Sequence, residues 1–411
     1  MSYLTFLSIT FTLFITINSK QCPTRSFIEQ SLFDVHIPGA VIIVINTTHT
    51  LYQQAFGHQS FLPTQPMNVD KSIFLLASIS KTFIALAAMQ LVESNLIDLD
   101  TDINHYLLST DPHISHPSFP LSSITLRQLL SHSASIALND QIEPHFFMSD
   151  DDAFTQTTLA QTCFEYLTNN TSNWIPYPPG TVTLYSNVGT GLAALIIERV
   201  TRMSFEEYVK ENILKPLNIN SEEAAFRLSY IKEKENLVRH YVYNSSNLAQ
   251  WKKMTPRLNI TQMKIPNWLS IPWYSLSVYP SGSLRMSGSS LSKYVQMIMN
   301  NGSSVIRAES IKEMKKIVND VISFENVNQT SLPTLQFGLA WNWQTLNNGR
   351  RYFGHGGTLP SATNSMLINE KGDIGMIILT NGDIYANTAS AINIYQTINT
   401  IRLSLFDCFE Y

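Results

Sequence analysis

The chain is 411 residues long, 44% apolar and 14% charged, with a formal net charge of −4 at neutral pH. That is an ordinary globular composition, with enough apolar side chain for two or three packed subregions, and it excludes an intrinsically disordered chain. No run of lysines or arginines supplies the electrostatic footprint a phosphate backbone requires, so nucleic acid is not an expected partner.

Residues 4–17 form an apolar stretch followed by Asn18, Ser19 and Lys20. It is too short for a comfortable membrane span and suits the core of a secretory signal, so residues 1–20 are read as a signal peptide, with an extracellular destination and no stable membrane span. The segment ahead of it lacks Lys and Arg and no small-x-small cleavage site is visible, which leaves a retained signal anchor as the alternative. Asn-x-Ser/Thr triplets begin at Asn46, Asn169, Asn170, Asn244, Asn259, Asn301 and Asn328. They agree with a eukaryotic secretory route and a glycoprotein, although a chain this rich in Asn, Ser and Thr also produces them by chance.

After a helical pattern at 27–35, Pro38-Gly39 introduces the apolar run 40–45; a polar turn at 46–49 and a second run, 51–56, complete a hairpin ending at Gly57. From 80 to 92, Phe83, Ile84, Ala87, Met89 and Leu91 recur at helical spacing with scarcely a polar face, which predicts a helix buried almost all round. Helical patterns at 125–131, 152–167, 189–200 and 205–214 then alternate with loops interrupted by Pro and Asn. Strand patterns return at 338–343, 351–353, 365–368 and 374–380, and a closing helix at 387–406 carries Ile392, Tyr395, Ile398, Ile401 and Leu405. The predicted architecture is α/β of the α+β type, an antiparallel sheet flanked by helices. Residues 23–80 and 271–411 build the sheet domain and 81–270 a mainly helical subdomain inserted in it, together one domain.

There are three cysteines, Cys22, Cys163 and Cys408. Cys22 and Cys408 can form a clasp if the first and last helices pack together in an oxidising compartment; otherwise they stand as free thiols.

Three short motifs carry chemistry. Ser-x-x-Lys occurs at Ser78, Ser229 and Ser290. Only Ser78-Ile79-Ser80-Lys81 opens the most apolar helix of the chain, where unpaired N–H groups and the positive end of the dipole favour charge developing on the serine oxygen. Lys81 falls one turn on, on the same face, and in an apolar setting its ammonium is disfavoured, so it can take the Ser78 proton. Tyr-x-Asn occurs at Tyr185 and Tyr385. Tyr185-Ser186-Asn187 follows a rigid Pro-Pro-Gly turn, which suits a phenol relaying a proton and an amide holding either a substrate carbonyl or Lys81 itself. His355-Gly356-Gly357-Thr358 follows an apolar strand; glycines there permit close backbone approach, and the Thr358 N–H can pair with that of Ser78 as an oxyanion hole. Each motif alone has a bland reading: an N-cap serine, a core tyrosine, a Gly-Gly turn.

Other chemistries lack their signatures. There is no His-Glu-x-x-His, Cys-x-x-Cys, phosphate-cradling Gly-rich loop or Gly-x-Ser-x-Gly elbow. His113 and His116 have metal-like spacing only, in a proline-rich loop, so no metal and no cofactor are expected.

Taken together and in this order, the motifs make the chain resemble the serine β-lactamase-related family, which includes class C β-lactamases, D-Ala-D-Ala carboxypeptidases, D-aminopeptidases, certain esterases and an animal mitochondrial filament-forming member. The similarity runs over about residues 25–402, through 125–132, Pro216-Leu217, 280–284, 337–341 and 354–360. It implies a β-lactamase-like antiparallel sheet with a helical region, a site between them and an acyl-serine intermediate. Two departures stand out. His355 replaces the lysine of true β-lactamases, which looks more like the peptidase, aminopeptidase and esterase branches, and His132-Ser133-Ala134-Ser135 replaces a more usual His-Thr-Ser-Gly, a change expected to alter the cleft floor without touching the chemistry.

The expected function is therefore a secreted serine hydrolase acting on an ester or amide bond of a small molecule or peptide. Ser78, Lys81 and Tyr185 are its catalytic candidates, and Asn187, His355, Gly356, Gly357 and Thr358 bind substrate and oxyanion. The alternative is a non-catalytic binding or assembly protein on the same scaffold.

Overall fold

A computed structural model describes residues 22–168, 171–243, 245–318, 322–323, 335–386 and 389–410. The expected signal peptide and the triplets at Asn169, Asn170, Asn244 and Asn328 lie outside those residues.

The main sheet has eight strands. Three come from the start of the chain: β1 (Gly39–Ile45), β2 (Thr50–Phe61) and β3 (Thr64–Pro66). Five come from its end: β4 (Gln336–Phe337), β5 (Asn342–Thr345), β6 (Arg351–Leu359), β7 (Ala362–Asn369) and β8 (Gly375–Thr380). The spatial order is β4-β5-β6-β7-β8-β1-β2-β3, antiparallel throughout, with β1 joining the two ends of the chain through the register Ala40↔Thr380 to Ile45↔Gly375.

β1 reads Gly-Ala-Val-Ile-Ile-Val-Ile without a polar position because both of its faces are covered. Val41, Ile43 and Ile45 face a large core shared with α2 (Lys81–Glu93), α3 (Asn187–Thr201) and α4 (Gly288–Met299). Ala40, Ile42 and Val44 face α1 (Arg25–Asp34) and α5 (Ala389–Phe409). Those two terminal helices meet, and a disulfide joins Cys22 to Cys408 with Cα atoms 5.0 Å apart. Cys163 is a buried thiol.

α2 is buried on nearly every face, as its sequence requires, and Phe83 stacks on Tyr294 of α4 at 4.0 Å. Elsewhere the sequence expectations need correction. The single strand expected over 338–343 is two, β4 and β5, because Ala340 turns the chain at a φ of +53°. The region expected to be helices and loops also contains short ladders, His240–Tyr243 with Trp268–Ile271 and Phe147–Ser149 with Tyr274–Leu276. Local pattern identifies such strands poorly, since their pairing partners are distant in sequence.

β6 is longer than its apolar run, extending through the glycines to Leu359. β5 covers only its first part, pairing Thr345↔Arg351 through Asn342↔Gly354. On that side, residues 355–359 have no strand partner among the described residues, while β7 pairs with all of them on the other. The motif His355 to Thr358 thus lies along an open strand edge.

Candidate active site

Ser78 sits in a tight turn, Ala77–Ser80, that leads directly into α2. Ala77 holds a φ of +53°, a left-handed conformation that costs a residue with a Cβ about 1 kcal/mol. Two hydrogen bonds hold the turn: Leu76 N–H to Leu284 O at 2.8 Å and Ser80 Oγ–H to Ala77 O at 2.7 Å. Ser78 stands where two cavities meet and lines both.

Lys81, the first residue of α2, is fully buried. Its Nζ lies 3.1 Å from Ser78 Oγ, 2.8 Å from Asn187 Oδ1 and 2.7 Å from Ser281 O. Burial pulls its ammonium well below the usual lysine range, and the Glu143 carboxylate only partly opposes this. A neutral amine has two N–H donors and one lone pair. With the donors given to Asn187 and Ser281, the lone pair faces Ser78, which is the geometry for receiving the hydroxyl proton.

Tyr185 arrives from the other side, its ring 4.9 Å from Lys81 Nζ, and lines both cavities with Ser78. Asn187 opens α3 and holds Lys81 through its Oδ1. The loop carrying Ser281 is tied to α3 by Ser281 Oγ–H to Asn187 O at 2.8 Å and by a hydroxyl contact with Thr190 at 2.9 Å.

β6 supplies the fourth wall. Gly357 passes so close to the Ser78 turn that a Cβ there would lie 2.3 Å from Leu76 O, whereas a Cβ on Gly356 would meet only Asn364 O at 3.8 Å. Asn364 Nδ2 donates to Leu75 O at 2.9 Å and fixes the same approach from β7. The absent side chain at 357 is what lets Thr358 and Ser78 line one cleft. His355 is buried, with its Nδ1 2.5 Å from Gly356 O; that carbonyl accepts, so Nδ1 carries the proton. Burial, then the nearby Lys81 charge, lower its pKa to about 4, so it is neutral at physiological pH.

The other matches to these motifs do not form sites. Ser229 N–H donates to Asp151 and Lys232 pairs with Glu222, while Ser290 bonds Ser287 and Lys293 donates to Asn218 O. Tyr385 packs against Phe147 and Trp251 along the wall of the second cavity. His116 uses both ring nitrogens on backbone, Ser118 N–H and Ile175 O. Among the described residues no group of three or more metal-ligating side chains occurs.

A family model, Beta-lactamase, matches residues 24–396. The chain belongs to the Beta-lactamase family. It is 23% identical over 372 residues to the protein flp of Staphylococcus aureus strain MRSA252, covering 89% of this chain and 63% of that protein. It is 26% identical over 215 residues to penicillin-binding protein 4* of Bacillus subtilis, covering 52% of this chain and 44% of that one. The chain thus spans less than two thirds of the length of these relatives. Among solved structures, the octameric penicillin-binding protein homologue of Pyrococcus abyssi matches with a TM-score of 0.70 at 22% identity, over 92% of this chain and 76% of that one. The D-amino acid amidase of Ochrobactrum anthropi SV3 matches at 0.68 and 16% over 92% and 97%, and the hydrolase EstCE1 at 0.67 and 16% over 93% and 97%. These likenesses establish the β-lactamase-like fold.

In this member of the Beta-lactamase family His132, which the altered stretch shares with the more usual one, packs beside the site. His132 Nδ1 accepts Ser186 N–H at 3.2 Å, and its ring packs on Tyr185 with centroids 4.3 Å apart, so it positions the loop bearing the phenol. Burial first, then Lys81 and His355, keep it neutral. Ser135 occupies a φ of +62° where the more usual glycine would be unstrained.

Sequence reasoning missed Glu143, which lies in no recognisable motif. It lines the second cavity with Ser78, Tyr185 and Asn187 and accepts from Tyr166 Oη–H at 3.2 Å. A hydrogen-bonded line runs Ser78, Lys81, Asn187, and Glu143 lines the same cavity as Ser78 and Asn187. Burial raises the Glu143 carboxyl above its usual range.

Proposed function

We propose that the protein is a serine hydrolase that cleaves an ester or amide through an acyl-serine. Ser78 Oγ attacks the carbonyl carbon while its proton passes to Lys81 Nζ. The Ser78 and Thr358 N–H groups hold the oxyanion, and Tyr185 returns the proton to the departing alcohol or amine as its bond to the carbonyl breaks. Water, deprotonated by the same groups, then attacks the acyl carbon and frees Ser78. The observation that carries this reading is the buried Lys81 Nζ, whose three partners include Ser78 Oγ at 3.1 Å.

The test is fluorophosphonate labelling of the purified protein. Labelling that disappears in Ser78→Ala and persists in Ser290→Ala is expected; wild-type protein that does not label would leave a binding role on this scaffold as the better account.

The neutral His355 bears on substrate. A third motif without a fixed positive charge is poorly suited to what true β-lactamases do with their lysine, so in a panel of p-nitrophenyl esters, D-amino acid amides and a chromogenic cephalosporin we expect turnover of esters and scarcely any of the cephalosporin. Rapid cephalosporin hydrolysis would show that His355 does not set the preference.

Passage through the secretory pathway is part of the same proposal. Supporting it are the exposed Asn259 and Asn301, each opening a glycosylation triplet, and the Cys22–Cys408 disulfide. Among the described residues no helix is long and apolar enough to cross a membrane. Expression in a eukaryotic cell should yield protein in the medium whose mobility changes on deglycosylation; retention of an unmodified chain in the cytosol would refute the route.

A further inference from the structure

The Ser281 carbonyl that accepts a hydrogen bond from Lys81 Nζ at 2.7 Å belongs to a single tight turn, Tyr279–Ser281, with Pro280 fixing its middle. Ser281 N–H bonds Val278 O at 2.9 Å and Ser283 N–H bonds Tyr279 O at 2.9 Å, so the three residues move as one piece. Where that piece sits is set by its side chains. Ser281 Oγ reaches the start of α3, at Asn187 O and the Thr190 hydroxyl. Tyr279 reaches the last turns of the same helix, where its Oη–H donates to Glu198 Oε1 at 2.8 Å. Asn187 and Glu198 stand about 16 Å apart along the helix axis. The turn is thus tied to α3 at two distant points and can neither slide along the helix nor roll over it.

A partly buried carboxylate is costly unless its partners require it, and burial does raise the Glu198 carboxyl above its usual range. Among the described residues it has no ion pair: Arg199 beside it bonds Asp111, and Arg227 bonds the neighbouring Glu206. Instead its Oε1 accepts two hydrogen bonds, from Phe205 N–H at 2.9 Å and from Tyr279 Oη–H. The first closes the start of the short helix Phe205–Val209. The second belongs to no element of secondary structure. The Tyr279 side chain is 6% exposed, and its ring packs between Phe154 and Phe226 with centroids 4.8 and 5.5 Å away. A phenylalanine would fill that slot equally well, so what the tyrosine adds is the bond to Glu198.

We propose that Glu198 and Tyr279 are positioning residues for Lys81. Their bond holds the turn so that Ser281 O takes one N–H of the amine, which, with the bond to Asn187, leaves the lone pair directed at Ser78. Neither residue lines either cavity at Ser78, so both act from behind the site without touching substrate. The proposal rests on the hydrolase reading above and extends its machinery to the far end of α3.

Tyr279→Phe keeps the ring and removes the bond. On a p-nitrophenyl ester its kcat should fall by about tenfold or more, with KM unchanged within about twofold. A carbonyl oxygen that accepts from the amine favours the ammonium, so its displacement lowers the Lys81 pKa and the acidic limb of the kcat/KM profile should move to lower pH. The titratable groups facing Lys81, which are Glu143, Tyr185, His132 and His355, stay in place, as do Arg199 and Glu206 facing Glu198. Glu198→Leu should match Tyr279→Phe, the double variant should be no worse than either, and Glu198→Gln, which keeps an acceptor, should fall between them and wild type. A merely structural bond would lower the melting temperature and leave kcat and the limb where they were. That result, additive losses in the double variant, or failure of every variant to fold would overturn the proposal. Should wild type turn over no ester and take no fluorophosphonate, the hydrolase reading fails separately. NMR titration of isotope-labelled lysine, with Lys81 assigned through Lys81→Met, then decides the positioning alone: a lower Lys81 pKa in Tyr279→Phe is expected, and an unchanged one overturns it.

Discussion

Lys81 Nζ and Ser78 Oγ lie 3.1 Å apart in a setting where the lysine has lost almost all contact with water. An amine so placed is a base rather than a point charge, because burial disfavours its protonated form. Arginine cannot take that role, since its guanidinium stays charged. Both Lys81→Met and Lys81→Arg should therefore lower kcat/KM by about 10²- to 10⁴-fold, measured on a p-nitrophenyl ester. Substantial activity in Lys81→Arg would show that charge, not proton transfer, is what the position supplies.

Glu143 tunes that base from a distance. Its negative charge favours the Lys81 ammonium, so Glu143→Gln removes a stabiliser of the protonated amine and lowers the lysine's pKa further. The active form of Lys81 is the neutral one, so the acidic limb of the kcat/KM profile should move to lower pH in Glu143→Gln. A limb that moves upward, or not at all, would place Glu143 outside the proton pathway and leave it a structural partner of Tyr166 and Asn139.

The two glycines of the third motif should behave differently. In Gly357→Ala the new methyl would lie 2.3 Å from Leu76 O, and the backbone must separate to admit it, at a cost of about 2 kcal/mol or more. Gly356→Ala meets nothing closer than 3.8 Å and should change stability by under about 0.5 kcal/mol. Urea denaturation of the pair measures both, and equal losses would mean that β6 does not press against the Ser78 turn.

His355 couples folding to pH. Its pKa falls from 6.5 to about 4 on folding, so the unfolded chain binds the proton more tightly. The stability this group contributes is fully present above pH 6.5 and is lost as the pH falls towards 4, roughly 3 kcal/mol in all. His355→Asn removes the titration, so its melting temperature should fall less steeply than that of wild type between pH 6.5 and 4. Parallel curves would indicate that the imidazole is more hydrated than its burial implies.

Cys22 and Cys408 close a loop across almost the whole chain, with 386 residues of separation. Reduction, or replacement of both by serine, should cost about 2–5 kcal/mol. It should release α1 and α5 first, since the bond ties those helices together. Protease sensitivity that rises at the chain ends before the sheet is lost would be the corresponding signature, and an unchanged melting temperature on reduction would contradict it.

The sequence alone carried the chemistry that depends on a few adjacent residues. Ser78 and Lys81 are three apart where a tight turn leads into one helix, Tyr185 and Asn187 follow a rigid turn, and a strand can approach another backbone at Gly357 because it has no side chain there; each is a local property that periodicity and residue type reveal. The apolar run of β1 likewise announced a strand, and the widely spaced cysteines left a clasp possible. What the tertiary structure decided is everything that depends on pairing across the chain. That Asn187 holds Lys81, that His132 braces Tyr185, that Glu143 lines the same cavity as Asn187, that β5 stops short and leaves 355–359 as an open edge, and that Arg402 reaches the same cavity as Ser78 all follow from contacts between residues tens to hundreds of positions apart. Such contacts leave no mark on local composition. A buried arginine, an isolated glutamate and a shortened strand look the same in the sequence whether they serve the core or the cleft, and only packing brings them to one place.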